Sequence, residues 1–326
     1  MKKTIWRPLA AILLCVAAAA HPAQAQDAWP TRPLRIVHGF GSGGPVDLLA
    51  RLLAPVLSER LGQSVLVEGK PGAGGTLGAA FVAKADPDGY TLLLMAAGHS
   101  AAPGLYTSLP YDAVNDFTMI SMVARSPFAI IAGPASPASS MQELVLKARA
   151  QPGKIDYGSA GVGSGMHLVA VLLQARTGIQ MTHVPYKTAT AVNLAIMGGE
   201  IPILFTSVAG ITPLLESGKV KMLATTGRER YSLLPGVPTI AETVLPDFDV
   251  MSWYALAAPK SVPAPIVAKL NEAVQAALKR PDLLERLRVQ AIEAFPSTPR
   301  QAQDLLGSEV ARWTKVVRDE KIPPQN

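Results

Sequence analysis

Apolar positions along the chain fall into two alternating rhythms. Short runs at Leu34-Arg35-Ile36-Val37, Ser64 to Val67 and Thr91 to Met95 read as strands. Between the first two, Val46, Leu49, Leu52, Leu53, Val56 and Leu57 recur at helical spacing from Pro45 to Leu61. The turn Asp86-Pro87-Asp88-Gly89 sets off the third strand. Nearly continuous apolar strands separated by amphipathic helices are what a parallel sheet covered on both faces requires, so the opening block is predicted to be a βαβαβ unit.

The same rhythm returns further on. Two apolar strands, Phe117 to Val123 and Phe128 to Ala132, precede Ser140-Met141-Gln142-Glu143, which has the form of a capping box opening a helix to about Ala150. A strand around Ile155, a helix from about Ser164 to Arg176, a strand Met181 to Val184, a helix ending at Met197 and strands Ile201 to Phe205 and Val220 to Thr225 follow. The proline-rich stretch from Leu233 to Pro265 contains the strand-like Val250 to Ala257, so it reads as a return connection. Two helices close the chain, Pro265 to Arg280 and a last one whose start is marked by Ser297-Thr298-Pro299. The expected architecture is α/β: two lobes joined by more than one crossing, with a cleft between them of the kind that takes small ligands.

Composition removes several classes of function. At 326 residues, 49% apolar and 17% charged, the chain is too apolar to be disordered. Residues 1–25 read as an export leader: Lys2, Lys3 and Arg7 form a basic start, Leu9 to Ala20 an apolar run, and Ala23-Gln24-Ala25 a cleavage site before Gln26. Half of the formal net charge of +6 lies in that leader, which has three basic and no acidic residues. What remains is spread thinly, with no Lys/Arg cluster, so nucleic acid is not an expected partner. The single cysteine, Cys15, also lies in the leader, which leaves the exported chain without disulfides, thiolate metal sites or a cysteine nucleophile. No later stretch is apolar for long enough to span a bilayer.

Three segments carry candidate chemistry. Gly39, Gly41 and Gly44 spell G-x-G-x-x-G between a strand and a helix, with Glu68 at the end of the next strand. The export leader and Pro45 directly after the last glycine speak against a dinucleotide. The surviving content is that backbone N–H groups converge at a positive helix start, which suits any anion, and a tight turn alone is the plain alternative. Gly98-His99-Ser100, after the third strand, resembles a nucleophile elbow, although Ala102 stands where glycine is usual and no acid is placed to orient a histidine. Ser159-Ala160-Gly161-Val162-Gly163-Ser164 is a second strand-to-helix glycine turn, with Ser164 as a candidate cap; His167 beside it reads as a packed histidine.

Taken in order, Trp29-Pro30-Thr31-Arg32-Pro33-Leu34-Arg35-Ile36-Val37, Gly43 to Arg51, Val67-Glu68-Gly69-Lys70-Pro71-Gly72-Ala73-Gly74-Gly75, Asp86 to Leu92, Leu109-Pro110-Tyr111-Asp112 with Asp116-Phe117, Ser159 to Leu168 and His183-Val184-Pro185-Tyr186-Lys187 resemble the extracytoplasmic solute-binding receptors of tripartite tricarboxylate transporters, the Bug or TctC-like family. The resemblance implies a periplasmic protein with a type II periplasmic-binding-protein (Venus flytrap) fold, each lobe a mixed, mostly parallel sheet flanked by helices. It implies a lobe 1 of residues 26–126 plus 255–326 and a lobe 2 of residues 127–254, hinged near Ala124 to Pro127 and Met251 to Tyr254. It further implies a small organic carboxylate as ligand, membrane permease subunits as partner, a monomer, no cofactor or metal and no catalysis.

Carried over residue by residue, the resemblance points to Phe40, Ser42, Gly43 and Gly44, to Gly98, His99 and Ser100, to Gly161, Gly163 and Ser164, and to Lys187, Thr206 and Ser207 as ligand-binding positions. The chain departs from the family pattern at Pro45-Val46, at Val162, at Gly165-Met166 and at Thr206-Ser207, where many members have an Asp. These departures imply a more apolar cleft and a carboxylate without an α-amino group, with His99 as donor or stacking surface. The alternatives are a secreted serine esterase using Ser100 and an orphan binding protein acting as a sensor.

Overall fold

The computed structural model describes residues 29–319 and 321–324. The leader at 1–25, its cleavage site and Cys15 lie outside the described residues. The opening block comprises β1 (Leu34–His38), α1 (Pro45–Leu61), β2 (Val65–Gly69), α2 (Thr76–Ala83) and β3 (Thr91–Ala96), with β1 parallel to both β2 and β3. Helix α1 begins with Pro45 at its first position, where the missing N–H costs nothing, and stops at Gly62, whose φ of 69° ends it in the left-handed region. It buries Leu49, Leu53 and Leu57, the stripe that its spacing predicted.

Next comes β4 (Phe117–Ala132), a single strand of 16 residues where the sequence suggests two. Its residues Phe117–Pro127 pair in one sheet and Phe128–Ala132 in another, so the apparent gap at Arg125-Ser126-Pro127 is the point where the strand changes sheets. After it follow α3 (Met141–Ala150), β5 (Asp156–Ser159), α4 (Gly165–Thr177), β6 (Thr182–Pro185), α5 (Ala189–Gly198), β7 (Ile203–Ser207), β8 (Lys221–Thr225) and β9 (Met251–Pro259). The chain closes with α6 (Ala264–Ala277), α7 (Pro281–Val289), β10 (Glu293–Ala294) and α8 (Pro299–Asp319). Three helices thus stand where two were expected. Pro281 cannot continue the helix that reaches Ala277, and it opens α7 instead.

Strand order is β2-β1-β3-β9-β4-β7-β5-β6, with β10 and β8 also on β4. Strands β1 to β3, β9, β10 and the first part of β4 form one half. The second half consists of β5 to β8 and the end of β4. Each half has an apolar core on either side of its sheet, built around Leu53 and Leu256 or Met95 and Leu306 in the first, and around Phe205 and Leu168 or Leu204 and Ile196 in the second. Helix α8 belongs to both: Ala302 and Leu306 pack in the first half, Trp313 and Val317 in the second. No helix among the described residues is long and apolar enough to cross a membrane. This mixed α/β arrangement leaves the carboxyl ends of β1, β3, β5 and β6 facing one gap, the position where open sheets of this kind bind ligands.

Candidate functional site

The loop after β1 is held from behind. Asp47, buried in the first turn of α1, accepts the Gly43 N–H with Oδ2 at 3.0 Å, while the Arg51 Nε lies 3.1 and 3.0 Å from its two oxygens. His38 Nε2 reaches Oδ1 at 3.2 Å, and because a carboxylate only accepts, that nitrogen carries the proton and Nδ1 accepts the Phe40 N–H at 3.4 Å. Burial opposes ionisation of Asp47, but the hydrogen bonds from Arg51 and Gly43 outweigh it and hold its pKa below the usual carboxylate value. Burial likewise depresses the His38 pKa against the pull of Asp47. A neutral histidine and a paired carboxylate therefore fix Phe40 to Gly44 and leave no uncompensated negative charge behind it.

The turn after β5 is fixed as tightly. Ser164 caps α4 by accepting the His167 N–H at 3.3 Å and donates to the Gly161 carbonyl at 2.7 Å. Gly163 N–H donates to His167 Nδ1 at 3.4 Å, and the His167 ring stacks on His183 with centroids 4.3 Å apart. His183 in turn contacts Ser159 Oγ at 2.7 Å and stacks on Tyr157. Burial lowers the pKa of both histidines to about 4, so both are neutral at pH 7. Sequence spacing gave no sign that His183 would meet His167.

The helix expected to end at Met197 runs from Ala189 to Gly198 and supplies a third helix start, whose position the sequence reading leaves open. Thr188 caps α5 by accepting the Ala191 N–H at 3.1 Å. Its local signal is Thr188 followed by the small helix formers Ala189 and Ala191.

These three helix starts line one narrow cavity of about 50 Å³ that opens to solvent. Gly44, Pro45 and Val46 of α1, Ser164, Gly165 and Met166 of α4 and Lys187, Thr188 and Ala189 of α5 line it, with Ala96, Ala97 and Gly98 after β3 and Ser207, Ser252 and Tyr254 at its floor. Phe40 and Phe128 complete an apolar wall, and no acidic side chain lines it. The first-turn N–H groups of an α-helix have no intrahelical acceptor, so this convergence makes the cavity electropositive without burying a side-chain charge. The two halves approach closely around it: a Cβ at Gly98 would stand 3.1 Å from the Gly165 nitrogen, and one at Gly41 3.1 Å from Thr188 Cγ2. Phe40, Gly41, Ala160, Lys187 and Thr188 also border a wider opening of about 860 Å³, which Gly161 and Tyr186 line as well.

Of the positions expected to bind ligand, the cavity brings together Phe40, Gly44, Gly98, Ser164, Lys187 and Ser207, and Gly161 borders the opening. Ser42 and Gly43 are exposed and do not line it: a Cβ at Gly43 would stand 3.0 Å from Thr190 Oγ1, and the Gly43 N–H is already given to Asp47. Gly163 is buried beside the Tyr106 hydroxyl, and Thr206 faces away in the sheet, opposite Ala129. His99 is not on the wall of this cavity. The short 3₁₀ turn Ala97–Ala101 sends its ring back into the first half, where Nε2 meets the Ala113 carbonyl at 2.8 Å, Tyr111 stacks on it and Phe117 packs edge-on. Burial pushes its pKa down to about 4. Ser100 is buried too, its hydroxyl donating to the Ala97 carbonyl at 2.6 Å, which is the reverse of an exposed elbow nucleophile. Among the described residues no cluster of three His, Cys, Asp or Glu could hold a metal ion.

The family model described as "Tripartite tricarboxylate transporter family receptor" matches residues 49–322. The chain belongs to this family. It is 33% identical over 310 residues to BugT of Bordetella pertussis, covering 94% of this chain and 95% of that one. A protein of Agrobacterium vitis is 38% identical over 312 residues, with 95% and 90% covered. Among solved structures, the periplasmic binding protein BugD superposes with a TM-score of 0.86 at 34% identity, over 91% of this chain and 100% of that one. An R. palustris protein solved with adipate gives 0.87 at 35% identity with the same coverage. MatC from Rhodopseudomonas palustris, with bound malate, gives 0.84 at 33% identity, over 89% of this chain and all (100%) of that chain. The receptor therefore has the two-lobe fold of periplasmic binding proteins, which the sheets that meet at β4 already describe.

Proposed function

We propose that this receptor captures a small organic carboxylate in the cavity between its halves and presents it to the membrane permease of a tripartite tricarboxylate transporter. The observation that carries the reading is the convergence of three helix starts on one cavity without an acidic side chain. Adipate and malate in the two R. palustris relatives support the ligand class.

The ligand-contacting groups in this reading are the backbone at Gly44, Gly98 and Ser164, the ring of Phe40 and the ammonium of Lys187. Residues 26–126 with 255–326 act as one lobe and residues 127–254 as the other. They close by bending where β4 changes sheets and where β9 begins, and the ligand favours the closed form because only there do the α1 start and the α4 and α5 starts face it together. The protein works in the periplasm after cleavage behind Ala25, and it binds without turning its ligand over.

A thermal-shift screen of the purified, processed protein against a carboxylate library tests this reading. At a ligand concentration about 100-fold above Kd, stabilisation of about 2.7 kcal/mol is expected, a rise of several degrees for a chain of this size, with the ligand recovered unchanged. No shift with any carboxylate, or ester hydrolysis that disappears in Ser100→Ala, overturns it.

A further inference from the structure

The polar groups of the cavity are unequal in kind. Five side-chain hydroxyls line it, those of Ser164, Thr188, Ser207, Ser252 and Tyr254, and each is engaged within the protein. Ser164 and Thr188 cap their helices. Ser207 Oγ is within hydrogen-bond distance of Ser126 Oγ at 3.1 Å and Tyr254 Oη at 3.0 Å, and it accepts the Ala209 N–H at 3.1 Å, which fills its one donor and two acceptor sites. Ser252 supports the Tyr254 hydroxyl. No side chain of Asp, Glu, Asn, Gln or His lines the wall. Asp47, next in sequence to the lining residue Val46, has both oxygens occupied by Gly43, His38 and Arg51. No side-chain carboxylate balances the first-turn N–H groups of the three helices or the exposed Lys187 ammonium, which are set in hydrocarbon from Phe40, Val46, Phe128 and Met166.

Resting on the carboxylate reading above, we propose that the cavity, which no anionic side chain lines, selects carboxylates with a hydrocarbon body and rejects their α-amino counterparts. An ammonium beside the carboxylate would stand in the positive field of the helix starts with no carboxylate side chain to pair with, only neutral oxygens. A charged group left unpaired in this way costs enough to weaken binding about 100-fold. Lys187, at the mouth, can meet a second anionic group at the far end of the ligand, but it offers an ammonium nothing.

The test is calorimetric titration of the processed wild-type protein with matched pairs: hexanoate and norleucine, 3-phenylpropanoate and phenylalanine, adipate and 2-aminoadipate. The expected result is that at least one plain acid binds and that its amino partner binds about 100-fold more weakly. An amino partner within about tenfold of its acid overturns the selection while leaving the receptor reading intact. Failure of all six to bind overturns the carboxylate reading of the cavity and this inference together. No substitution is involved, so the outcome does not depend on a variant's folding.

Discussion

The Gly43 N–H and the Asp47 Oδ2, four residues apart and 3.0 Å from each other, close the loop after β1 into a ring that leads into α1. Asp47 would normally be a liability at an anion site. Here its charge is balanced by Arg51 and its oxygens point at the loop's own backbone and at His38, so it shapes the site without opposing the ligand. Asp47→Ala is expected to leave the Gly43 N–H and the buried His38 unpaired, to lower stability by about 1–3 kcal/mol and to weaken carboxylate binding about tenfold. Chemical denaturation and calorimetry check the two effects. Unchanged affinity at the lowered stability would show that the loop does not need its anchor.

A second contact reports on closure. Gly163 has φ +76°, and a Cβ there would stand 2.6 Å from the Tyr106 hydroxyl and 3.3 Å from its Cζ. Gly163→Ala therefore strains the backbone and forces the Tyr106 ring away from the α4 turn, and ligand affinity is expected to fall by about tenfold or more. Adding Tyr106→Phe removes the closer of the two collisions and is expected to recover part of the loss. A double variant as weak as the single one would mean that backbone strain alone is responsible.

Much of this was legible in the sequence, and the illegible part has physical reasons. The strand-glycine-helix units at Leu34–Leu61 and Ser159–Thr177 were readable because both their hydrophobic spacing and their capping residues are local. Helix α2 is implied by the βαβαβ unit, but its start is not legible because Pro71-Gly72-Ala73-Gly74-Gly75 in front of it reads as loop. The continuity of β4 was hidden by Pro127, which the strand tolerates where it changes sheets. For the site, backbone donors at helix starts could be inferred from glycine and serine positions, whereas the direction of a side chain could not. His99 looked available for a ligand, yet one 3₁₀ turn commits it to the core, and the meeting of His167 with His183 depends on β5 and β6 pairing in parallel.

Lys187 differs from the helix starts in being exposed, and no ion pair holds it among the described residues. Its attraction for an anion is screened by water and salt, while the backbone donors in the narrow cavity are screened less. Lys187→Gln is expected to weaken carboxylate binding only a few-fold at about 0.15 M salt and more strongly at about 0.01 M, where the Debye length is about 30 Å. Titrations at the two ionic strengths check this. A loss beyond about 100-fold that is insensitive to salt would instead make Lys187 a buried partner of the carboxylate.

The neutral histidines give the receptor a definite response to acid. His99, His167 and His183 each have a folded pKa lowered by burial from 6.5 to about 4. Between these two values the unfolded chain takes up protons that the folded chain refuses, so stability is full above pH 6.5 and declines as pH falls toward 4. A shift of this size is worth on the order of 3 kcal/mol for a fully buried histidine such as His99. Because His167 and His183 stack beneath the α4 turn, their protonation separates two rings 4.3 Å apart and disturbs the turn that lines the cavity, so ligand affinity is expected to decline over the same interval. Urea unfolding and calorimetry between pH 7.5 and 4.5 check both curves. The variant His167→Gln keeps an acceptor within reach of the Gly163 N–H but cannot take up a proton. It is expected to flatten the affinity profile and to remove its own share of the stability slope, leaving that of His99 and His183; profiles as steep as the wild type's would place the acid sensitivity in other groups.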